Sequence, residues 1–351
     1  MLTTLRLGSF RCYSSLKWEI PAEGALLLGG NAQGKTSLLE AICFALTLHT
    51  PRASRLDRLA SHGSDTFGIS IDSTEGTRRV RWQNRKLELS VDGVRRQDYA
   101  DYLQDAPPVT WLGNGDIALV SGAAEERRDF LDFLGTQWHP HYRASLQAYR
   151  KALKSRNALL RHPRRSAAAL RSYAELLHRH GSTLMELRGR LLELLLPHIR
   201  EHHQRIANRA EGVDLLYHPS TPLPLMEALE QSLEADERAG FTTVGPHRDD
   251  FWLTIAGTPA ADYASEGQQR TLATAMQLAQ ASLLQVETGR TPILLIDDIF
   301  GELDPDRRQA LLAMLPEDAQ IFITTTHLHW LNGDAPPLPV VPIREASIGE
   351  G

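Results

Sequence analysis

The sequence predicts an α/β protein interrupted by a helical insertion, and three observations carry that expectation. Residues 26–42 run from three leucines through a glycine-rich loop into good helix formers. Residues 292–298 are an apolar strand that ends in two carboxylates. Between them, from 123 to 210, helix formers dominate and apolar residues recur at spacings of three and four. The first two segments frame a nucleotide-binding head over 1–120 and 240–351, a mixed sheet with flanking helices. The third is an inserted, lever-like arm over 121–239.

At the N-terminus, apolar and polar positions alternate around Leu5-Leu7 and Leu16-Trp18, which reads as strands leading into the loop. The loop follows Leu26-Leu27-Leu28 as Gly29-Gly30-Asn31-Ala32-Gln33-Gly34-Lys35-Thr36-Ser37. It fits G-x-x-x-x-G-K-[ST] in its required context of strand, loop and helix. Glycines let successive backbone N–H groups curl round phosphate oxygens, and the helix N-terminus adds partial positive charge. Lys35 reaches the β- and γ-phosphates, and the Thr36 hydroxyl is placed for Mg²⁺. A chance glycine turn would not be flanked this way. Beyond a helix over 37–48, Pro51 breaks the pattern and three arginines follow (Arg52, Arg55, Arg58). Alternating runs at 67–71, 78–82 and 86–91, with turns at Gly76 and Asp92-Gly93, predict an antiparallel meander beside the nucleotide sheet.

The arm reads as two long antiparallel helices broken near His162-Pro163. From Phe133 to Ala174 it has nine Arg/Lys residues and no Asp or Glu. In a chain of net charge −5 that segregation points to a phosphate-binding stripe more than to a merely solvated face. The candidates are Arg150, Lys151, Lys154, Arg156, Arg161, Arg164 and Arg165. A proline-bearing connector after 213 leads to an acidic helix, Leu225 to Arg238.

Composition narrows the class. Hydrophobic content of 42% and charged content of 23% over 351 residues are those of an ordinary globular chain with a sizeable core. There is no run of ~18 apolar residues for a spanning helix, and the first residues lack a signal peptide's apolar stretch. Two cysteines, Cys12 and Cys43, argue against a disulfide or zinc framework. The expectation is a cytoplasmic protein with no membrane partner, and at net charge −5 any DNA contact must come from a local patch.

Pro292-Ile293-Leu294-Leu295-Ile296-Asp297-Asp298 is a Walker B arrangement. Asp297 would position Mg²⁺ through water, and Asp298 would orient the attacking water. Ser265-Glu266-Gly267-Gln268-Gln269-Arg270 opens a helical pattern before this strand, a second phosphate-binding helix end. It resembles the signature motif of ABC-type ATPases, which caps the γ-phosphate of the other subunit in a head-to-tail dimer. Gly301-Glu302-Leu303-Asp304 resembles the D-loop, and His327, one strand later, the switch histidine.

Within that class the chain resembles the RecF family of bacterial recombinational-repair proteins, related to SMC proteins. The resemblance spans nearly the whole chain. Ser9-Phe10-Arg11-Cys12-Tyr13 is similar to the family's F-R-N-Y, and Gly30 to Thr36 matches its phosphate loop. Arg127-Arg128-Asp129-Phe130-Leu131-Asp132 matches R-R-x-F-L-D, and Gly245-Pro246-His247-Arg248-Asp249-Asp250 resembles G-P-H-R-D-D. Asp297 to Asp304, with Arg307 and Leu311, resembles its second signature. The family implies ATP and Mg²⁺ as cofactors and a weak, DNA-stimulated ATPase that works as a dimerisation switch. It implies gapped, single-stranded or junction DNA, RecR with RecO as partners, and RecA loading as the outcome. The chain departs from the pattern at Cys12, at Asn114-Gly115 and Ala124, at Glu266 and at Gly301, which is expected to loosen its turn. Asp298 stands where ABC transporters carry Glu, and a shorter carboxylate predicts turnover well below tens per second.

Other readings fit less of the chain. A transporter's nucleotide-binding subunit shares the phosphate loop, signature and histidine, but would lack the RecF-like stretches. An SMC-like tether needs far longer coiled coils, and a small-molecule kinase leaves 265–270 without a job. His198-Ile199-Arg200-Glu201-His202 has the spacing of a zinc peptidase, but follows Pro197 on a polar helix, and the ATPase motifs account for the chain without it.

Overall fold

The computed structural model describes residues 1–349 apart from 53, 54, 165, 302 and 332–334. The chain divides into two compact units, Met1–Gly115 with Leu284–Gly351, and Asp116–Leu283. The expected arm lies within the second unit, which reaches further than 239, to Leu283.

The head unit begins with β1 (Leu2–Phe10), β2 (Tyr13–Glu19), β3 (Gly24–Leu28) and α1 (Lys35–Thr47). Next come β4 (Phe67–Ser73), β5 (Gly76–Gln83), β6 (Lys86–Val91), β7 (Val94–Arg96), α2 (Tyr99–Leu103) and β8 (Val109–Gly113). The expected meander is there, but β1 and β2 belong to it. They form one antiparallel sheet of order β2-β1-β4-β5-β6-β7. Alternation explains why: Phe67, Ile69 and Ile71 of β4 point to the buried side with Leu5 and Leu7 of β1. Phe67 stacks on Trp82 and meets Phe10 edge-on. Helix α1 is buried on nearly every side, from Leu38 to Leu46, and touches strands of both head sheets. Cys43 within it is a buried apolar residue whose thiol burial pushes up to about 12.

The second unit contains α3 (Ala118–Ser121), α4 (Ala124–Trp138), α5 (Pro140–Leu160) and α6 (Ala167–Ala207). Then follow β9 (Val213–His218), α7 (Leu225–Gln231), α8 (Leu233–Ala239), β10 (Asp250–Ile255), β11 (Thr258–Pro259) and α9 (Ala260–Tyr263). Helix α10 (Glu266–Thr288) starts here and ends in the head. Helices α5 and α6 are antiparallel: Tyr142 meets Arg188, and Tyr149 lies against Gly181. A Cβ at Gly181 would come within 2.6 Å of Leu225, so a glycine lets three helices close over the Leu146, Leu177 and Leu184 core. The acidic segment is two helices, not one. Asp236 of α8 is fully buried and accepts hydrogen bonds from Thr243, drawing the chain inward past Ser232. Strands β9, β10 and β11 form a small antiparallel sheet that keeps 250–259 in this unit.

Back in the head come β12 (Ile293–Asp297), α11 (Pro305–Met314), β13 (Ile321–Thr325), β14 (Val340–Arg344) and β15 (Ser347–Ile348). The second head sheet has order β15-β14-β3-β13-β12-β8, parallel except for the β14–β15 hairpin. Strand β13 therefore lies between the strand that feeds the phosphate loop and the strand that carries the paired carboxylates. The carboxyl ends of these parallel strands form the crevice where such sheets bind ligands.

Candidate nucleotide site

The sheet order determines what meets at that crevice. Asp297 is level with Thr324 on β13, and Thr324 with Leu27 on β3. The Thr36 and Thr324 hydroxyls both donate to Asp297 Oδ1, each at 2.8 Å. The first residues of α1 and the last of β12 are thereby joined through one carboxylate oxygen. Lys35 is 6% exposed and donates to the carbonyls of Gly29 (2.6 Å) and Gly30 (2.8 Å). Burial lowers its pKa, with Asp298 and then Asp297 opposing the shift.

Two glycines explain the loop's composition. Gly34 has φ of 106°, and a Cβ there would come within 2.7 Å of Tyr13 Oη and 2.9 Å of Cys12 Sγ. A Cβ on Gly29 would meet the Ile343 carbonyl at 2.3 Å. Asn31 and Ala32 lie exposed at the tip, while Gln33 and Ser37 are half-buried. Gln33 is held from the far end of the chain: the Glu345 N–H donates to its Oε1 and the Ala346 N–H to its carbonyl at 3.1 Å. Beneath the loop, Arg11 is bidentate to Glu40 of α1 at 2.7 Å, and Thr50 donates to the same carboxylate.

Asp298 follows β12 in the left-handed region, at φ of 54°, and Asn114 Nδ2 donates to its carbonyl at 3.0 Å. Asn114, a departure from the family pattern, thus has a local role. His327 is exposed, its ring stacked with His329 and its carbonyl accepting from Thr325 Oγ1 at 2.9 Å. Asp304 caps α11 by accepting from the Arg307 N–H at 2.9 Å and pairs with the Arg307 guanidinium. Nothing lies within 4 Å of a Cβ built on Gly301, so sterics do not demand glycine there. Glu302 lies outside the described residues.

In the other unit, Ser265 and Gln268 form a reciprocal capping box at the start of α10. The Gln268 N–H donates to Ser265 Oγ at 3.3 Å, and the Ser265 N–H to Gln268 Oε1 at 3.0 Å. Gln268 also donates to Glu211, Gln269 to the carbonyls of Ala260, Ala261 and Ala264, and Arg270 pairs with Glu266. Ser265 and Glu266 are exposed, and Gly267 is half-buried.

The basic stripe separates into two kinds of residue. Lys151, Lys154, Arg161 and Arg164 are exposed, and Arg150 is exposed while paired to Asp132 at 3.0 Å. Arg156 is a correction. It is 1% exposed and donates to Asp236 and Thr242, both at 2.7 Å, so it has no access to a phosphate backbone. Arg165 lies outside the described residues. His202 is buried beside Ser282, with its pKa lowered to about 4 by burial, and among the described residues no cluster of three or more metal-ligating side chains occurs. No helix among them is long and apolar enough to cross a membrane.

Sequence reasoning missed the roles of Thr324, Asn114, the hairpin behind Gln33, and Arg308, which donates to the main-chain carbonyls of Phe300, Leu303 and Trp330. Thr324 alone had a signal: a polar residue closing an apolar strand, as Asp297 does.

Fold and site define an ABC-type ATPase head that carries a helical insertion. The family model described as RecF/RecN/SMC N terminal domain matches residues 1–335, and the chain belongs to the RecF family. "DNA replication and repair protein RecF" of Rippkaea orientalis is 36% identical over 359 residues, covering 93% of each chain. The protein of that name from a Synechococcus species is 36% identical, covering 95% of this chain and 94% of its own. A structure of "the recombination mediator protein RecF-ATP in RecFOR pathway" superposes with a TM-score of 0.88 at 26% identity, covering 99% of this chain and 96% of that one. An Smc head domain from Pyrococcus furiosus shares the fold, with a TM-score of 0.53 at 15% identity and coverage of 99% and 94%.

Proposed function

We propose that the chain is an ATP-driven dimerisation switch of DNA replication and recombinational repair. The observation that carries this reading is the single oxygen of Asp297 shared by Thr36 and Thr324. It brings a hydroxyl and a carboxylate, the hard oxygen donors Mg²⁺ prefers, to the mouth of a phosphate loop. Gly29 to Ser37 would cradle the phosphates, with Lys35 exchanging its contacts to the Gly29 and Gly30 carbonyls for phosphate oxygens. Thr36 and Asp297 would hold Mg²⁺, which when bound offsets phosphate charge. Asp298 would orient the attacking water, and the exposed His327 would approach the γ-phosphate.

Two such chains would enclose two ATP molecules, each between the Walker motifs of one chain and Ser265 to Arg270 of the other, with Gly301 to Asp304 at the contact. The relatives named for DNA replication and repair support the process, and the RecF-ATP structure supports the nucleotide. Closure would present the exposed arm residues Lys151, Lys154, Arg161 and Arg164 to gapped, single-stranded or junction DNA in the cytoplasm. The RecFOR pathway named for the structural relative supports RecR with RecO as partners, and RecA loading would be the outcome. Weak, DNA-stimulated hydrolysis would reset the switch.

The test is the mass in solution with Mg²⁺ and ATP, with and without duplex DNA, for wild type, Lys35→Ala and Ser265→Arg. Wild type is expected to dimerise and both variants to stay monomeric. Normal dimerisation of Ser265→Arg would overturn the composite site.

A further inference from the structure

Arg308 is the fourth residue of α11, and its guanidinium is spent on main chain. Nε donates to the Phe300 carbonyl at 3.0 Å, one Nη to Leu303 at 2.7 Å, and the other Nη to Trp330 at 2.9 Å. Phe300 and Leu303 belong to the segment that leads from β12 into α11. Trp330 belongs to the short turn His329–Leu331, just past His327. The Trp330 ring stacks on Phe300, with centroids 4.8 Å apart and planes 16° apart, and both rings are buried. Trp330 Nε1 donates to Thr325 Oγ1 at 3.1 Å, and that hydroxyl donates to the His327 carbonyl at 2.9 Å. An unbroken chain of contacts therefore runs from the Phe300 and Leu303 carbonyls through Arg308 and Trp330 to His327. A planar guanidinium can serve three carbonyls in fixed directions, whereas an ammonium is a point charge on a flexible stem.

We propose that Arg308 is a positioning residue that makes the segment leading into α11 and the His327 turn move as one body. An event at the γ-phosphate is thereby carried to the surface that meets a second subunit. The proposal rests on the nucleotide-site reading above and goes beyond it by naming the coupling residue.

Hydrogen–deuterium exchange of the full chain, with and without Mg²⁺-ATP, tests it. In wild type, ATP is expected to protect residues 299–304 and 326–331 together. In Arg308→Lys, nucleotide affinity stays within about twofold and 326–331 remains protected, but 299–304 loses its ATP-dependent protection. The kcat for ATP falls by about tenfold with KM little changed, the pattern of lost positioning. Combining Arg308→Lys with His327→Ala lowers kcat no further than His327→Ala alone. Joint protection of both segments in Arg308→Lys would overturn the proposal. So would faster exchange throughout α11 and β13 without nucleotide, which marks a merely structural arginine. If ATP protects the phosphate loop of wild type while the two turns respond independently, only the role of Arg308 falls. If ATP protects neither the loop nor the turns, the nucleotide site itself falls, and the coupling with it.

Discussion

Both units bury positive charge, and they do so differently. In the arm unit, Arg156 is closed off by Asp236 and Thr242, and Arg188 by Asp132, Tyr142 and the Pro246 carbonyl. Each buried guanidinium there has a carboxylate partner on another segment, an arrangement that fixes architecture. In the head, Lys35 is nearly as buried, yet its hydrogen bonds go to two carbonyls of its own loop, Gly29 and Gly30. The carboxylate beside it, Asp297, is engaged by hydroxyls. Charge in the arm is settled by opposite charge within the chain, while in the head Lys35 meets only carbonyls and Asp297 only hydroxyls, which is what the proposed nucleotide site requires.

Three measurements sharpen or break that contrast. The largest effect belongs to Arg156→Ala. It strands a buried carboxylate and should cost about 3–5 kcal/mol of unfolding free energy, seen as a lower denaturation midpoint. If instead the fold is unaffected and DNA binding weakens, Arg156 is not architectural. Lys35→Ala should do the reverse. Its unfolding free energy shifts by less than about 1 kcal/mol, while ATP affinity falls about a hundredfold, or ~2.7 kcal/mol, by titration calorimetry. A large loss of stability would place Lys35 with the arginines.

The smallest effect is pH dependence in the arm unit. Burial holds His202 and His247 neutral, each with a pKa of about 4 against an ordinary 6.5. Between those values the unfolded chain binds more protons than the folded one. Stability therefore rises with pH across that window and is lost as pH falls from 6.5 toward 4. Each histidine accounts for up to about 2 kcal/mol at pH 5. His202→Gln should flatten the thermal-melt profile against pH by roughly half, and an unchanged profile would mean that His202 titrates freely in the fold.

What was legible follows the same division. The phosphate loop, the paired carboxylates and the start of α10 are local patterns, and residues 26–42, 265–270 and 292–298 announce them without help from elsewhere. The insertion of β13 between β3 and β12 is not local, so Thr324 could not be placed against Asp297 beforehand. Arg156 misled because charge segregation along a sequence does not say which helix face each residue occupies. It recurs on the buried side with Tyr149 and Ala152, while Lys151 and Lys154 point outward. The second unit runs past 239 because β10 pairs with β9, a long-range pairing that outweighs the shift in composition, and α10 stays with it at Ser282, which meets His202.

The hold of Glu345 and Ala346 on Gln33 bears on the order in which the protein is made. The phosphate loop leaves the ribosome early, yet its neighbours on the sheet, β13 and β14, are translated near the end. The strand that feeds the phosphate loop gains both of its sheet neighbours late. Chains truncated before β14 would leave Gln33 and one edge of β3 unheld, and are expected to hold nucleotide less well than the full chain.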